Sequence, residues 1–155
     1  MVFSGAQRGK LSLRRFRTFT VAGIPPVSGK LTYAVHWDGG GNFRWSTTSA
    51  TVAVKYPVSL TLTGPASAST GTRLTFNGIV QSGGLDYSRI PLLVERTVTN
   101  GSVTTKLPRV IPRVDGSYSF TDRPVGVGDY SYTVQWVGND TNIPAKASHN
   151  VRVQG

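Results

Sequence analysis

The sequence predicts an all-β fold: a β-sandwich present as one complete copy, preceded by part of another. Three observations predict it, namely short segments of alternating apolar and polar residues, turn residues between them, and an internal repeat with a period of 99 residues. No segment has the periodicity and caps of an amphipathic helix. About seven short strands per repeat, with turns every 8–12 residues or so, are typical of two packed antiparallel sheets.

The repeat emerges when residues 17–55 are aligned without gaps on residues 116–154. Nine of the 39 aligned positions are identical, and both copies contain a Tyr-x-Val-x-Trp segment, at Tyr33–Trp37 and at Tyr132–Trp136. The sequence therefore divides into a basic N-terminal segment (1–16), a partial repeat with the C-terminal strands only (17–55), and a complete domain (56–155).

The strands of the complete domain are predicted from alternation and from the Gly, Pro, Asn and Asp residues that separate them. Asn100-Gly101 is the strongest hairpin signal, because both residues tolerate a positive φ. Pro108 marks its strand as an edge or a break, since proline cannot donate a ladder hydrogen bond. The predicted strands are 58–62, 74–80, 90–97, 103–110, 118–120, 129–137 and 149–153.

The partial repeat needs a partner, because three strands alone leave an apolar face uncovered. Three arrangements would provide one. The partial repeat could pack on the complete domain, pair with another chain, or belong to a domain whose beginning has been cut away. We favour the last as an expectation. Residues 1–16 could add one strand, either through Val2-Phe3 or through Leu11 and Leu13.

Composition narrows the function classes. The absence of cysteine excludes disulfides, Cys-ligated zinc, iron–sulfur clusters and thiol catalysis, so we expect a core of Tyr, Val and Trp to hold the sheets together. No apolar run is long enough for a membrane-spanning helix. Basic residues interrupt the N-terminal segment, so no signal peptide is predicted in this chain. Half of the net charge of +10 comes from five cations between positions 8 and 17.

The sequence contains no motif that is typical of a catalytic or metal-binding site. His36 and His149 have no acidic or histidine partners at a useful spacing, so both are expected to be ordinary surface residues. Five acids stand beside turn residues, where aspartate bonds the local backbone: Asp86, Asp115, Asp122, Asp129 and Asp140. Trp37 and Trp136 share a strand face with Tyr and Val and are predicted to be core residues. We therefore expect no catalytic residue, no cofactor and no metal site.

Several segments resemble a known family. They are Leu60–Ser69, Tyr118–Asp122, Tyr132–Gly138 and Val151–Val153. Together they resemble bacterial immunoglobulin-like repeats, with the closest likeness to tandem repeats at the C-terminal ends of actinobacterial exported proteins. The resemblance implies an immunoglobulin-like sandwich that acts outside the cytoplasm, secreted or at the cell surface, as a non-enzymatic spacer, stalk or adhesion module.

Two segments are candidates for a contact surface. Phe43 and Trp45 follow three glycines in a predicted loop, where they could form a small exposed aromatic patch for a protein or a cell-surface glycan. Arg14, Arg15 and Arg17 could hold an anionic polymer through counterion release, or serve as a charged strand edge that discourages sheet pairing. No nucleic-acid-binding signature accompanies these charges, so we do not expect a nucleic acid partner.

Overall fold

A computed structural model describes residues 10–13, 19–22, 24–25, 27–42, 44–83, 85–99 and 103–155. Every regular element within these residues is a β-strand, apart from one 3₁₀ turn at Tyr87–Arg89. The fold is therefore all-β, as predicted. The chain divides into two compact units, Met1–Lys55 and Tyr56–Gly155.

In the part of the first unit that the structure describes, the strands form two antiparallel pairs. β1 (Lys10–Leu13) pairs with β2 (Phe19–Ala22), and β3 (Gly29–Trp37) pairs with β4 (Ser46–Val54). Of the two segments considered for an added N-terminal strand, the one through Leu11 and Leu13 forms β1. The alternative, Val2-Phe3, lies outside the described residues.

The second unit is a sandwich of two sheets. One sheet has the strand order β10-β7-β5, and the other has the order β6-β12-β11-β8-β9. All pairs are antiparallel except β6 with β12, which run parallel. The strands are β5 (Val58–Leu60), β6 (Ser67–Ser69), β7 (Leu74–Ser82), β8 (Leu92–Val98), β9 (Val103–Val110), β10 (Ser117–Asp122), β11 (Gly128–Trp136) and β12 (Ala145–Gln154).

The connectivity of this sandwich is immunoglobulin-like. Its first two strands belong to different sheets. β5 lies in the three-stranded sheet, and β6 lies in the five-stranded sheet beside the last strand, β12. The Tyr130 hydroxyl, near the start of β11, donates to the Gly126 carbonyl at 2.8 Å, which is the tyrosine corner of such domains. Pro108 lies in β9, the edge strand of its sheet, where a missing ladder donor is tolerated.

The core lies between the two sheets of the second unit. Phe76 of β7 is fully buried and stacks on Phe120 of the same sheet, with the ring centroids 4.9 Å apart. Across the sandwich the Phe76 ring meets that of Tyr132 at 4.2 Å. The predicted core face of β11 is confirmed, because every second residue is buried: Tyr130, Tyr132, Val134 and Trp136.

The repeat is visible in the geometry of the two hairpins. A shift of 99 residues places β3 (Gly29–Trp37) on β11 (Gly128–Trp136) without any difference in bounds. The pairing register is also the same, since Tyr33 lies opposite Ala50 in the first unit and Tyr132 lies opposite His149 in the second. The same backbone hairpin therefore occurs in both units.

Candidate functional site

The end of the β3–β4 hairpin carries an exposed aromatic side chain. Trp45 directly precedes β4, and 67% of its surface is exposed. The hairpin register, in which Trp37 lies opposite Ser46, brings Trp45 across from the end of β3. Its ring is tilted over that of His36, with the centroids 6.1 Å apart. The predicted exposure of Trp45 is thus observed.

Two polar side chains flank this indole. His36 Nε2 lies 3.0 Å from Asp38 Oδ1, and both side chains are well exposed. Arg44, the neighbour of Trp45, is exposed as well. We call His36, Asp38, Arg44 and Trp45 the tip surface. It combines an apolar ring face with a carboxylate, an imidazole and a guanidinium, which are groups that can bond hydroxyl or carboxylate ligands.

The other predicted contact residues cannot be added to the tip surface. Phe43 lies outside the described residues, as do Arg14, Arg15 and Arg17. Sequence reasoning had in turn missed His36 and Asp38, having taken His36 as an isolated surface residue. No sequence signal grouped them, because the register in which Trp37 lies opposite Ser46 is a finding of the structure.

The two repeated tryptophans differ in environment. Trp136 is 3% exposed, in agreement with its predicted core position, whereas Trp37 is 45% exposed. The prediction that Trp37 is a core residue is therefore wrong. Its strand face has the same sequence pattern, but the part of the first unit that the structure describes does not cover it to the same extent.

A partly buried polar group joins the two sheets of the second unit. Asp122 Oδ2 accepts hydrogen bonds from the Tyr132 hydroxyl at 2.7 Å and from Arg96 Nη1 at 2.8 Å. Burial, helped by the bond to Asp122, raises the pKa of Tyr132 far above its usual value. We call Arg96, Asp122 and Tyr132 the clasp. Its geometry corrects the prediction that Asp122 is a turn acid.

Two of the other acids do act in turns. Asp86 accepts from the backbone and the hydroxyl of Ser88, and Asp115 bonds Ser117 in the same way. These bonds from the serines lower the pKa of both carboxyls. His149 is half-buried rather than on the surface, with Nε2 at 3.1 Å from the Pro65 carbonyl oxygen. The side chains of Asp86, Asp115 and His149 are therefore all engaged in hydrogen bonds within the protein.

A second loop network fixes the beginning of the second unit. Asn142 is buried, and its Nδ2 donates to the Ser82 hydroxyl at 2.8 Å. Tyr56 forms two backbone hydrogen bonds with the loop that contains Asn142. Its N–H donates to the Thr141 carbonyl, and its carbonyl accepts from the Ile143 N–H. Lys55 is thus the single residue between the end of β4 and an anchored residue of the second unit.

Within the described part of the chain, no three His, Asp or Glu side chains come together in a way that could hold a metal ion. The same residues contain no helix long and apolar enough to cross a membrane.

Comparisons with known proteins give structural likenesses only. No family model and no curated protein matches the sequence. The chain is similar to a crystal structure of the CARDB domain of the PF1109 protein from Pyrococcus furiosus in complex with di-metal ions, with 16% identity and a TM-score of 0.40 over 63% of this chain and 87% of that one. It is also similar to an NMR structure of the same domain, with 14% identity and a TM-score of 0.41 over 64% and 96%.

Proposed function

We propose that the chain is a non-enzymatic immunoglobulin-like repeat module that serves as a spacer or adhesion domain. The observation that carries this proposal is the recurrence of one hairpin at a distance of 99 residues, with the same register and with the same bounds for its first strand. Tandem copies of one supersecondary unit are typical of arrays that build length and present surfaces. The resemblance to repeats of exported actinobacterial proteins supports a location outside the cytoplasm, in a secreted or surface-attached protein.

The bonding of the polar groups in the second unit also favours a structural role. Asp122 and Arg96 join the sheets, and Asp86 and Asp115 close turns. A catalytic acid or base needs a free position next to a substrate. We therefore expect no turnover, and activity in a hydrolase panel that a point substitution abolishes would contradict the proposal.

The joint between the units supports a spacer with limited bending. Lys55 is followed by the anchored Tyr56 and by Pro57, whose ring fixes φ. Because the chain has no cysteine, single cysteines introduced at Gly40 and Asp140 allow spin labels on both units. We expect a narrow distance distribution that broadens when four Gly-Ser pairs are inserted after Lys55. An equally broad distribution without the insertion would contradict a stiff spacer.

A second candidate function is glycan binding by the tip surface. Exposure of the Trp45 ring beside the Asp38 carboxylate favours it, because pyranose rings stack on aromatic faces and their hydroxyls bond carboxylates. On a glycan array, Trp45→Ala should abolish binding, whereas Val114→Ala, at an exposed site of the second unit, should not change it. Salt-sensitive binding to polyanions that is lost on joint replacement of Arg14, Arg15 and Arg17 by alanine would instead favour the basic segment.

A further inference from the structure

β3 has the sequence of a central strand, but the strands that the structure describes pair with it on one side only. Among the strands that the structure describes, only β4 pairs with β3. Its counterpart β11 is paired on both sides, with β12 and with β8. An unpaired strand edge exposes backbone donors and acceptors that can add another strand. The edge of β3 that no described strand occupies is therefore a template for strand addition.

The second unit indicates which strand fits this edge. β8 runs antiparallel to β11, with Val98 opposite Tyr130, Arg96 opposite Tyr132 and Val94 opposite Val134. By the repeat, the same strand would place its residues opposite Leu31, Tyr33 and Val35 of β3. The incoming strand should thus alternate, with apolar residues facing Leu31 and Val35.

Side chains of the β3–β4 pair are less covered than their counterparts in the second unit. Trp37 is 45% exposed and Trp136 is 3% exposed, while Val52 is 47% exposed and Val151 is 1% exposed. Burying such side chains stabilises by about 25 cal/mol per Å² of apolar surface removed from water. A strand added to β3 would pack its side chains beside that of Trp37, which belongs to β3, as well as bond the edge.

Charge distinguishes between two strands that could occupy this edge, one from a second copy of the first unit and one from an acidic partner. Residues 1–55 contain eight cations and one acid, so a second copy of the first unit would bring like charges together. An acidic strand would be attracted instead. At the position that matches Asp122 the first unit has Gly23, so no carboxylate there reaches toward Tyr33 in the manner of the clasp. A carboxylate on the incoming strand opposite Tyr33 would supply one.

We propose that the first unit accepts, along this edge of β3, an antiparallel β-strand from another polypeptide that is apolar opposite Leu31 and Val35 and acidic opposite Tyr33. Main-chain bonds would provide affinity, and the apolar and acidic positions would provide specificity, as in other cases of strand addition. This acceptor role goes beyond the spacer or adhesion role proposed above, and neither requires the other.

The test uses the full chain and synthetic peptides of residues 90–99. One peptide has the natural sequence, one contains Arg96→Glu, one adds Val94→Asp and Val98→Asp to that change, and one is scrambled. Hydrogen exchange should show protection of β3 amides by the Arg96→Glu peptide, at concentrations about tenfold lower than for the natural peptide. The amides of β11, already paired on both sides, should not change.

Three results would overturn the proposal. If the scrambled peptide, or the peptide with the two Val→Asp changes, protected β3 as well as the Arg96→Glu peptide does, charge alone would attract the peptides. Protection of β3 that rises with protein concentration, without any peptide, would assign the edge to a second copy. Amides of β3 that are fully protected at all concentrations without peptide would mean that the edge is already occupied within the chain.

Discussion

The Tyr132 hydroxyl donates to the Asp122 carboxylate at 2.7 Å, across the interior of the second unit. Tyr132 belongs to β11 of the five-stranded sheet and Asp122 to β10 of the three-stranded sheet. Arg96 completes the clasp from β8, and its ring-facing guanidinium lies 5.9 Å from the Tyr130 centroid. A chain without cysteine thus joins its sheets by a polar link as well as by packing, which corrects the expectation of an apolar core alone.

Breaking the clasp should be costly. In Asp122→Ala the Arg96 guanidinium keeps its burial but loses its counter-charge, and its Nε already has no hydrogen-bond partner among the described residues. We expect a loss of about 3 kcal/mol in the free energy of unfolding, measured by urea denaturation. Arg96→Met combined with Asp122→Leu should recover most of it, because no charge is then left buried. Asp140→Ala, at an exposed acid, should change stability by less than about 0.5 kcal/mol.

Gly78 should not tolerate a side chain. A Cβ at this position would overlap the Thr61 carbonyl oxygen and the Tyr118 ring, whose hydroxyl bonds that same carbonyl. Gly78→Ala should destabilise the second unit by about 1–3 kcal/mol, as overpacking does. Gly40→Ala is the matched control, since no atom lies within 4 Å of its added Cβ. Equal thermal melting points for the two variants would contradict the expected clash.

Alkaline solution should destabilise the second unit. Burial raises the pKa of Tyr118 to about 12, whereas an exposed tyrosine titrates near 10. The folded state therefore holds this proton more tightly, and its contribution to stability is present below about pH 10 and is lost as the pH rises toward 12. Tyr118→Phe should reduce the dependence of the unfolding free energy on pH in this range. An unchanged slope would argue against the buried hydroxyl as the cause.

Equivalent valines of the two repeats should respond differently to a charge. Val151 is 1% exposed and Val52, at the matching position, is 47% exposed. Val151→Asp should cost more than about 3 kcal/mol, because it buries an unpaired carboxylate. In a Trp37→Phe/Trp45→Phe background, Val52→Asp should leave the unfolding transition of the second unit, followed by the emission of Trp136, almost unchanged. Similar losses in both variants would mean that the two hairpins are equally covered in solution.

Much of the fold could be predicted because local patterns determine it. Alternation predicted β9 at Val103–Val110 and the buried face of β11, and the repeat predicted that β3 is the copy of β11. The clasp could not be predicted in this way. Arg96 and Asp122 are 26 residues apart and meet only when the two sheets pack, so no periodicity within one strand indicates the contact.

Prediction of the candidate site was partial for a similar reason. Loop composition predicted Trp45, but the exposure of Trp37 depends on which strands cover its face, and its sequence pattern is the same as that of the buried Trp136. His36 and Asp38 look isolated in the sequence because their grouping depends on how the hairpin brings the strand ends together.

The parallel pairing of β6 with β12 has a mechanical consequence. β6 lies near the N-terminal end of the second unit, and β12 is its last strand, with Arg152 opposite Ser67 and Gln154 opposite Ser69. When tension pulls the two ends of the unit apart, parallel neighbours must slide along one another. Their hydrogen bonds are then loaded in shear and break together, whereas an antiparallel pair pulled from one end opens one bond at a time. This pairing should therefore resist separation of the two strands better than an antiparallel pair of the same length.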